Sequence, residues 1–462
     1  MRRQVLPEQT RFRRAQRGIS KIINEVGQSV IGLLPFFYGS ISTKVLKMSI
    51  YKTRNARKLF MKTEIVKKIE ETNQKYLGKL IGQDIPQKLE NQLEEMDWSY
   101  LDLIHQKKQE RGIFEPLGVT EISEIKQRED EFRKAGLDSI RAGKVGAILL
   151  AGGQGTRLGF DKAKGMFNIG VNRTLYIFEQ LIANLMNVTN EAGAWVPLYI
   201  MTSDKNDAQT RAFFEEHNYF GYNKDYVKFF VQEMVPAVDF DGNLLMKSEN
   251  SLAMSPNGNG GWFKSLINAG LDKDLKDKGV EWLNVFAVDN VLQQIADPVF
   301  VGATIDSGCV SGAKVVRKVD PYERVGALCL EDGKPSIVEY YELTPEMAEA
   351  KNPNGSLQYG FGVILNYIFR VDKLFGIAQK SLPLHVVEKK VPYIDENNTE
   401  HKPEKPNAYK FETLILDMVY MMDDCLPFEV DREKEFAPVK NATGVDSVES
   451  ARALLVKNGI EI

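Results

Sequence analysis

The sequence predicts an α/β protein built around a mostly parallel, doubly wound sheet. Short apolar runs alternate with amphipathic segments between residues 145 and 288, and continuous apolar runs are typical of strands buried on both faces of a parallel sheet. The first run ends in a cluster of glycines, at the kind of position where open α/β sheets bind ligands. Together the two observations predict an α/β core with a binding site at one sheet edge.

Four strands and three helices follow one another in this region. The predicted strands are Val145–Ala151, Trp195–Met201, Val227–Val231 and Trp282–Val288. The predicted helices are Thr174–Met186, Asp204–Asn218 and Gly261–Ala269. Because strands that alternate with helices usually pair in parallel, we expect a mostly parallel sheet here, with right-handed connections.

The flanking segments show other patterns. Amphipathic periodicity before the first strand predicts helices, at Met61–Lys79, Gln87–Gln109 and Glu121–Gly136. Beyond residue 312 the alternation loosens into a mixed region, with expected strands at Ala313–Val319, Ser336–Leu343 and Tyr359–Phe369. A connector that contains two prolines, His401–Asn407, precedes apolar residues at helical spacing from Phe411 to Met422.

These patterns divide the chain into four regions. We predict a basic extension at residues 1–60, a helical N-terminal region at 61–144, the α/β core at 145–405 and a small C-terminal domain at 406–462. Residues 1–60 hold 13 Lys and Arg but only two acidic residues, Glu8 and Glu25. This segment is interpreted as the product of a start site upstream of the native one, as a disordered basic arm or as a transit peptide.

Composition and charge exclude several classes of protein. The 462 residues carry a formal net charge of −3, unlike a polycation built to bind nucleic acid. No apolar run reaches the ~20 residues of a membrane-spanning helix, so no membrane span is expected. The three cysteines and four histidines lie scattered, without CxxC or HExxH spacing. This argues against a disulfide framework or a zinc site and favours a reducing, cytoplasmic compartment.

The strongest chemical signal is the glycine-rich segment Leu149–Gly165, LLAGGQGTRLGFDKAKG. Its glycines allow the backbone to approach a ligand closely and to present N–H groups to phosphates. Arg157 and Lys164 add two cations within reach of a polyphosphate. The segment lacks the GK[ST] ending of a Walker A motif. Its glycine spacing is close to a dinucleotide fingerprint, so an NAD(P)-dependent oxidoreductase stays open as an alternative.

Together with nine further motifs in order, this segment resembles the signature sequences of the UDP-sugar pyrophosphorylases, most closely their UDP-N-acetylglucosamine pyrophosphorylase branch. The further motifs are YIMTS at Tyr199–Ser203, QEM at Gln232–Met234, SPNGNGG at Ser255–Gly261, VDN at Val288–Asn290, GAKVV at Gly312–Val316, VEYYEL at Val338–Leu343, KKVPY at Lys389–Tyr393, KPEKPN at Lys402–Asn407 and EFAPVKNA at Glu435–Ala442. The resemblance covers roughly residues 137–445. It implies a Rossmann-like nucleotidyltransferase core that acts on UTP and a sugar 1-phosphate.

The resemblance also implies a role for each matching residue. Nucleotide-binding roles fall on Leu150, Ala151, Gly152, Gly153, Gln232 and Gly258. Catalytic roles, in which a cation binds and neutralises the triphosphate, fall on Arg157 and Lys164. Sugar-binding roles fall on Asn259, Glu339 and Tyr340, and phosphate-binding roles fall on Lys390 and Lys440. Asp289 would hold Mg²⁺, or Mn²⁺ in its place, against the phosphates.

Two departures from the family pattern bear on the substrate. The N-acetylglucosamine branch usually has a Gly-Asn pair where this chain has Gly362-Val363, and a valine side chain cannot hydrogen-bond a hydroxyl or an acetamide. Glu233 stands where the family usually has glycine, and this departure places a carboxylate near the expected uracil site. N-Acetylglucosamine 1-phosphate is the favoured substrate, and glucose or galactose 1-phosphate stays open. A non-catalytic binding protein on the same fold is a further alternative, and the sequence carries no sign of the oligomeric state.

Overall fold

A computed structural model describes four stretches of the chain, residues 63–78, 84–104, 111–380 and 382–462. The predicted basic extension, 1–60, lies outside these residues, so its three interpretations stay predictions. The chain divides into two units, Met1–Thr72 and Asn73–Ile462. The described part of the first unit contains a helix at residues 63–71, which is shorter than the predicted helix Met61–Lys79.

The second unit is organised by a mixed sheet of ten strands. In chain order, the strands in the described part of this unit are β1 Phe114–Pro116, β2 Val145–Leu150, β3 Leu198–Thr202, β4 Val227–Val231, β5 Met234–Pro236, β6 Val238–Asp239, β7 Met246–Ser248, β8 Ser251–Leu252, β9 Met254–Pro256, β10 Trp282–Ala287, β11 Ser311–Arg317, β12 Ala327–Glu331, β13 Lys334–Val338, β14 Phe361–Arg370, β15 His385–Lys389, β16 Tyr393–Ile394, β17 Glu400–His401, β18 Ala408–Glu412 and β19 Leu426–Glu429. The main sheet has the order β1-β12-β14-β10-β2-β3-β4, with β11 paired to β14 and β19, and β13 paired to β12.

Helices connect and cover these strands. In the described part of the second unit the α-helices are Gln87–Glu95, Tyr100–Leu103, Ile122–Gln127, Glu129–Arg141, Ile177–Ala192, Asp207–Glu216, Trp262–Asn268, Asp272–Lys278, Pro298–Ser307, Pro345–Glu349, Val371–Ala378, Ile415–Tyr420, Arg432–Glu435 and Val448–Lys457. Within the described residues, no helix combines the length and the apolar character needed to cross a membrane.

The four predicted core strands are confirmed as β2, β3, β4 and β10, which pair in parallel in the order β10-β2-β3-β4. Leu150 lies at the carboxyl end of β2, opposite Ala287 on one side and Met201 on the other. β14 runs antiparallel to β10, so the sheet as a whole is mixed and the predicted α/β class is confirmed. The parallel strands all end at one edge, where the glycine-rich segment begins.

The side chains of the parallel strands pack into two cores, one on each face of the sheet. In β2, Leu149 belongs to one core and Leu150 to the other. The helix Ile177–Ala192 packs into the first core, and the helix Trp262–Asn268 packs into the second. Burial on both faces explains why these strands are continuous apolar runs in the sequence.

The helix predicted at Gln87–Gln109 is interrupted. The helix ends at Glu95, because the backbone of the next residue, Met96, is extended. A turn follows in which the Ser99 N–H donates to the Asp97 carboxylate at 3.0 Å. This local hydrogen bond competes with helix continuation, and the chain resumes only as the short helix Tyr100–Leu103. Residues 105–109 of the predicted helix lie outside the described residues.

Two bounds in the core also differ from the prediction. The strand predicted from Trp195 begins only at Leu198, because Pro197 has no N–H to donate to a neighbouring strand. The helix predicted to end at Met186 continues to Ala192 and ends where Gly193 adopts a φ of +67°. The last turns of this helix contain several polar residues, so the spacing of apolar residues did not predict the extension.

Two downstream predictions were partly wrong. β13 ends at Val338 rather than Leu343, because the Glu342 side chain accepts the Glu339 N–H at 2.9 Å and closes a turn. Phe411 lies in β18 rather than in a helix, because it pairs with Val386 of β15. The predicted domain boundaries stay predictions, although β19 joins the main sheet and the helix Val448–Lys457 packs into the first core.

Candidate active site

The glycine-rich segment folds back on itself beyond β2. The Gly155 N–H donates to the Lys162 carbonyl at 2.9 Å, and the Lys164 N–H donates to the Gly153 carbonyl at 3.1 Å. Gly159 adopts a φ of +69° at the end of a short 3₁₀ turn, a conformation that glycine reaches without strain. The resulting loop places Arg157 and Lys164 close to the carboxyl end of β2.

Leu150 and Ala151 are buried where β2 ends. The Ala151 N–H donates to the Met201 carbonyl at 2.8 Å, and its carbonyl accepts from the Asn206 amide at 3.0 Å. Both backbone polar groups of Ala151 are therefore used inside the protein. The more exposed Gly152 and Gly153 follow, and their backbones form the part of this turn that a nucleotide can approach.

Gln232 and Gly258 lie on the other side of the space next to Gly152 and Gly153. Gln232 follows β4, is only 8% exposed, and its N–H donates to the Thr202 carbonyl at 2.8 Å. Its side-chain amide nitrogen donates to the Gly258 carbonyl. A Cβ built on Gly152 would lie 2.9 Å from Gln232 Oε1, so the amide oxygen lies directly against the glycine turn. Three of the predicted nucleotide-binding residues, Gln232, Gly258 and Gly152, are thus in contact.

Gly258 is held in place by the chain before the helix Ile415–Tyr420. Its φ is +86°, and a Cβ there would lie 2.1 Å from the Thr413 carbonyl oxygen. The neighbouring Asn259 places its amide oxygen 3.0 Å from the Ile415 N–H, which it accepts. Asn259, a predicted sugar-binding residue, therefore satisfies a free N–H at the start of a helix, and its amide nitrogen is the group available to a ligand.

Charged side chains from three distant segments share one electrostatic environment. Burial lowers the pKa of the Lys164 ammonium below its ordinary value, and repulsion from Arg157 and Lys440 adds to this, while attraction from Asp289 opposes it. The four groups are thus within electrostatic reach of one another. Three cations and one carboxylate at the end of a parallel sheet form a suitable environment for a polyphosphate and a divalent metal.

Asp289 and Lys440 are joined through the backbone. The Val439 N–H donates to the Asp289 carbonyl at 2.8 Å, and Asn290 makes two further bonds, to the Glu435 carbonyl at 2.7 Å and from the Ala437 N–H at 2.9 Å. The segment that ends in Lys440 is therefore tied to the loop after β10. The Lys440 ammonium itself lies 3.0 Å from the Asp446 carboxylate.

A buried ion-pair cluster stabilises the start of the segment that ends in Lys440. Lys314 is 0% exposed and lies 2.8 Å from the Asp297 carboxylate and 2.6 Å from that of Glu435. Burial alone would lower the pKa of Lys314, but the two carboxylates outweigh it and leave that pKa raised. Removing one member of such a cluster would leave a buried charge unpaired. The ion pair with Lys314 therefore fixes the position of Glu435, where the segment that leads to Lys440 begins.

Two of the three predicted sugar-binding residues, Glu339 and Tyr340, lie around the turn after β13. Glu339 is half-buried; burial raises the pKa of its carboxyl and repulsion from Glu342 adds to this, while the cations Arg111, His385 and Lys440 oppose it. The charge of Lys440 thus acts on both Lys164 and Glu339. Tyr340 is 43% exposed, and its ring lies 5.3 Å from that of Tyr341.

Val363 lies on β14, beyond the residue that faces the end of β10. The β10 pairing runs from Trp282 opposite Arg370 to Phe286 opposite Asn366. Val363 therefore extends past the carboxyl end of β10, at the edge where Asp289 follows. Its side chain is half-buried against the second core.

Lys390 is not brought into this cluster by any contact. It is exposed, one residue beyond β15, and makes no hydrogen bond or ion pair with another described residue. Its neighbour Val391 donates its N–H to Asn407 at 2.8 Å. Its phosphate-binding role stays a prediction that rests on the motif alone.

The residues that hold the site together were missed in the sequence. Asn290 and Lys314 lie inside recognised motifs, VDN and GAKVV, but nothing there indicates what they contact. Asn206 and Thr413 carry no signal at all, since their partners Ala151 and Asn257 are 55 and 156 positions away. Side-chain to backbone bonds across such separations are properties of the fold.

The family model described as UTP–glucose-1-phosphate uridylyltransferase matches residues 84–460. The chain is 41% identical over 338 residues to UDP-N-acetylhexosamine pyrophosphorylase-like protein 1 from Xenopus tropicalis, covering 71% of this chain and 66% of that protein. It is 38% identical over 349 residues to UDP-N-acetylglucosamine pyrophosphorylase from Saccharomyces cerevisiae, covering 72% of each. The chain thus spans 66 to 72% of the length of these two relatives.

A solved structure shares the fold over most of the chain. The crystal structure of uridine diphosphate N-acetylglucosamine pyrophosphorylase from Trypanosoma brucei, in complex with an inhibitor, superposes with a TM-score of 0.74. The superposition covers 91% of this chain and 86% of that one, at 25% sequence identity. The mixed sheet and the helices that cover it are therefore common to both proteins.

Proposed function

This chain belongs to the UTP–glucose-1-phosphate uridylyltransferase family, and from that membership we propose that it transfers a uridylyl group from UTP to a sugar 1-phosphate. An oxygen of the sugar phosphate attacks the α-phosphorus of UTP. The bond from that phosphorus to the β-phosphate's bridging oxygen breaks, and pyrophosphate leaves. The observation that carries the proposal is the electrostatic environment that Arg157, Lys164, Lys440 and Asp289 share beyond the end of the parallel sheet.

The reaction needs charge neutralisation and alignment rather than proton transfer. A sugar phosphate is already ionised near neutral pH, so no side chain has to activate it. Lys164 and Arg157 bind the triphosphate and offset the charge that develops on the leaving pyrophosphate. Lys440 interacts with both ends of the site, and can therefore draw the attacking phosphate into line with the α-phosphorus.

Gln232 supplies the selection for uracil. Its amide nitrogen is engaged by the Gly258 carbonyl, so its Oε1 is held as an acceptor against Gly152. Uracil presents an N3–H donor at its pairing edge, whereas cytosine presents an acceptor at that position. The oriented amide oxygen of Gln232 therefore favours uracil. With cytosine, this oxygen and the ring nitrogen would be two buried acceptors that face each other without a donor, which is unfavourable.

The metal that we propose is Mg²⁺, with Mn²⁺ as a substitute. Among the described residues there is no group of three or more His, Cys, Asp or Glu that could hold a metal ion by itself. A lone carboxylate fits Mg²⁺, which usually keeps water and substrate phosphates as its other ligands. Asp289 would hold it, and the bound metal would neutralise phosphate charge.

N-Acetylglucosamine 1-phosphate is the sugar phosphate that we propose. The yeast relative is named for UDP-N-acetylglucosamine, and Glu339 and Asn259 offer an acceptor and an amide donor for sugar hydroxyls. Val363 argues for a looser pocket, because it can make no hydrogen bond to the sugar. Glucose 1-phosphate, after which the family is described, is the second candidate on that observation.

The remaining alternatives have less support. Family membership favours a UTP-dependent transferase over an NAD(P)-dependent oxidoreductase. A non-catalytic binding protein would have no need for Arg157, Lys164 and Asp289 together. Cys309, Cys329 and Cys425 are free thiols, which supports the cytoplasm as the expected compartment. UTP and the sugar 1-phosphate are the expected partners, with no nucleic acid.

A panel of sugar 1-phosphates tests this proposal. The full chain is supplied with UTP, Mg²⁺ and each of the N-acetylglucosamine, N-acetylgalactosamine, glucose and galactose 1-phosphates in turn, and pyrophosphate release is measured. We expect N-acetylglucosamine 1-phosphate to give the highest kcat/KM. A higher value with glucose 1-phosphate would replace the sugar assignment, and no release with any of the four would overturn the uridylyltransferase assignment.

A further inference from the structure

Glu233 is the residue of the QEM motif that the proposed function leaves unexplained. Both contacts of its carboxylate are with residues outside the glycine-rich segment. Oε2 accepts a hydrogen bond from the Asn257 amide nitrogen at 3.0 Å, and Oε1 lies 3.5 Å from the Lys264 ammonium. Its side chain is 27% exposed, whereas Asn257 is only 4% exposed. A glycine at this position would have none of these side-chain contacts.

The backbone of Glu233 reinforces the same connection. Its carbonyl accepts the Asn257 N–H at 3.1 Å, and its N–H donates to the Ser265 hydroxyl at 3.0 Å. Asn257 in turn accepts the Thr413 N–H at 2.6 Å and the Thr413 hydroxyl at 2.9 Å through its carbonyl. Asn257 is thus held on one side by Glu233 and on the other by Thr413.

This clamp sets the position of Gly258, the next residue. The Gly258 carbonyl accepts from the Gln232 amide nitrogen, and that bond decides which end of the Gln232 amide faces the glycine turn. A chain of contacts therefore runs from the Glu233 carboxylate through Asn257 and Gly258 to the Gln232 oxygen. Gln232 and Glu233 are adjacent in sequence, so the chain closes into a small ring.

We propose that Glu233 is a positioning residue that fixes the Asn257–Gly258 turn and thereby sets uracil selectivity through Gln232. The proposal rests on the proposed function, because it assigns Gln232 to the base. Glu233 touches neither the nucleotide nor the phosphates in this role. Its charge strengthens the bond to Asn257, because hydrogen bonds to an ionised acceptor are stronger than neutral ones.

Variants separate this role from general stability. Glu233→Ala removes the bond to Asn257, and we expect the KM for UTP to rise about fivefold or more while kcat stays within about twofold. The ratio of kcat/KM for UTP over CTP should fall by about threefold or more, since the Gln232 amide becomes free to turn. Glu233→Gln keeps an acceptor for Asn257 and should restore most of the wild-type KM. Glu216→Ala, on an exposed helix face, is the matched control.

An exchanged pair gives the sharpest test. Asn257→Asp places a second carboxylate against Glu233 and should lower the affinity for UTP as much as Glu233→Ala does. Adding Glu233→Gln to it restores a donor–acceptor pair with the direction reversed, and should recover UTP affinity. Lys264→Met removes only a half-exposed ion pair, so it should change the KM by less than about twofold.

Direct binding distinguishes this proposal from the proposed function. The affinity of the full-length chain and each variant for UTP and CTP is measured by calorimetry with Mg²⁺, in the absence of sugar phosphate. Wild-type protein that binds UTP but turns over no sugar phosphate would overturn the transferase assignment alone. Glu233→Ala protein that binds UTP and CTP with the wild-type ratio, at wild-type thermal stability, would overturn the role of Glu233.

Discussion

The two ends of the nucleotide site are built on different physical principles. At the phosphate end, Arg157 and Lys164 of the glycine-rich segment, Asp289 and Lys440 come from three separate segments and interact through charge. At the base end, Gly152, Gln232 and Gly258 carry no charge and interact through contact, with the Gly258 backbone packed against Thr413. Charge acts over several ångströms and tolerates small displacements, whereas close backbone packing does not. We therefore expect substitutions at the phosphate end to change turnover and substitutions at the base end to change UTP affinity.

The largest effect is expected at the phosphate end. Lys164→Ala removes a half-buried cation from the triphosphate, and kcat should fall roughly 10²-fold or more, as when one preorganised donor is removed from a charged transition state. Lys162→Ala, an exposed lysine of the same loop, is the matched control and should retain activity. Near-normal turnover of Lys164→Ala at saturating UTP would place Lys164 outside the reaction.

At the base end, Gly258→Ala should mainly change the KM for UTP. The added Cβ would meet the Thr413 carbonyl oxygen at 2.1 Å, at a φ of +86° that costs a non-glycine residue of order 1–3 kcal/mol. We expect a KM increase of about tenfold or more with a smaller change in kcat. Gly279→Ala has a similar φ of +70° in open space, and it controls for backbone strain alone. A kcat loss larger than the KM change would break the proposed division between the two ends.

Asp289→Asn tests whether the phosphate end uses a metal. Losing one anionic ligand should raise the Mg²⁺ concentration for half-maximal activity roughly tenfold, equivalent to about 1.4 kcal/mol. The measurement is a Mg²⁺ titration at fixed UTP, with Asp306→Asn on an exposed surface as the control. An unchanged titration curve would make Asp289 a structural residue.

The pH dependence should also belong to the phosphate end. In the proposed reaction the cationic form of Lys164 binds the triphosphate, and burial lowers the pKa of Lys164 below that of an ordinary lysine. As the pH rises through this lowered pKa the charge is lost, so kcat/KM should decline at a lower pH than an exposed lysine would give. Lys164→Arg should move this decline to higher pH, because a guanidinium keeps its proton. If the decline is the same in both proteins, another group is responsible for it.

The smallest effect is expected beyond the nucleotide, at the sugar. Val363→Asn supplies both a donor and an acceptor at the end of β14, and the kcat/KM ratio of N-acetylglucosamine over glucose 1-phosphate should rise by about twofold or more. Val456→Asn, on an exposed helix face, is the control. A ratio that stays constant would show that Val363 does not face the sugar.

The sequence predicted the parts of the molecule that follow from local pattern. Strands buried on both faces are continuous apolar runs, so β2, β4 and β10 were predicted within one or two residues. The short antiparallel strands β5 to β9 and the strand at Phe411 were not predicted. β6 pairs with the distant β18, at Asp239 opposite Ala408, whereas β7 and β8 form a local hairpin too short to show an apolar pattern. Pairing energy, rather than local preference, decides such segments.

The site divides in the same way. Motifs predicted Lys164, Asp289 and Gln232 as site residues, because glycine turns and strand ends are visible in a sequence. The supports were invisible: Lys314 pairs with Glu435 over 121 positions, and Asn206 bonds Ala151 over 55. The Glu233 carboxylate was expected near the uracil site, and in the structure it accepts a hydrogen bond from the Asn257 amide nitrogen. A motif indicates where chemistry occurs, and the fold decides which side chains support it.

Transfer of the α-phosphate is the step that defines the proposed reaction, and a label at that phosphorus follows it. The full-length chain is incubated with UTP labelled at the α-phosphorus, Mg²⁺ and N-acetylglucosamine 1-phosphate, and the labelled products are separated. We predict that the label appears in UDP-N-acetylglucosamine, that unlabelled pyrophosphate is released in equal amount, and that Lys164→Ala slows both steps together. Label that stays in UTP, or that is released as UMP without a sugar attached, would contradict uridylyl transfer to the sugar phosphate.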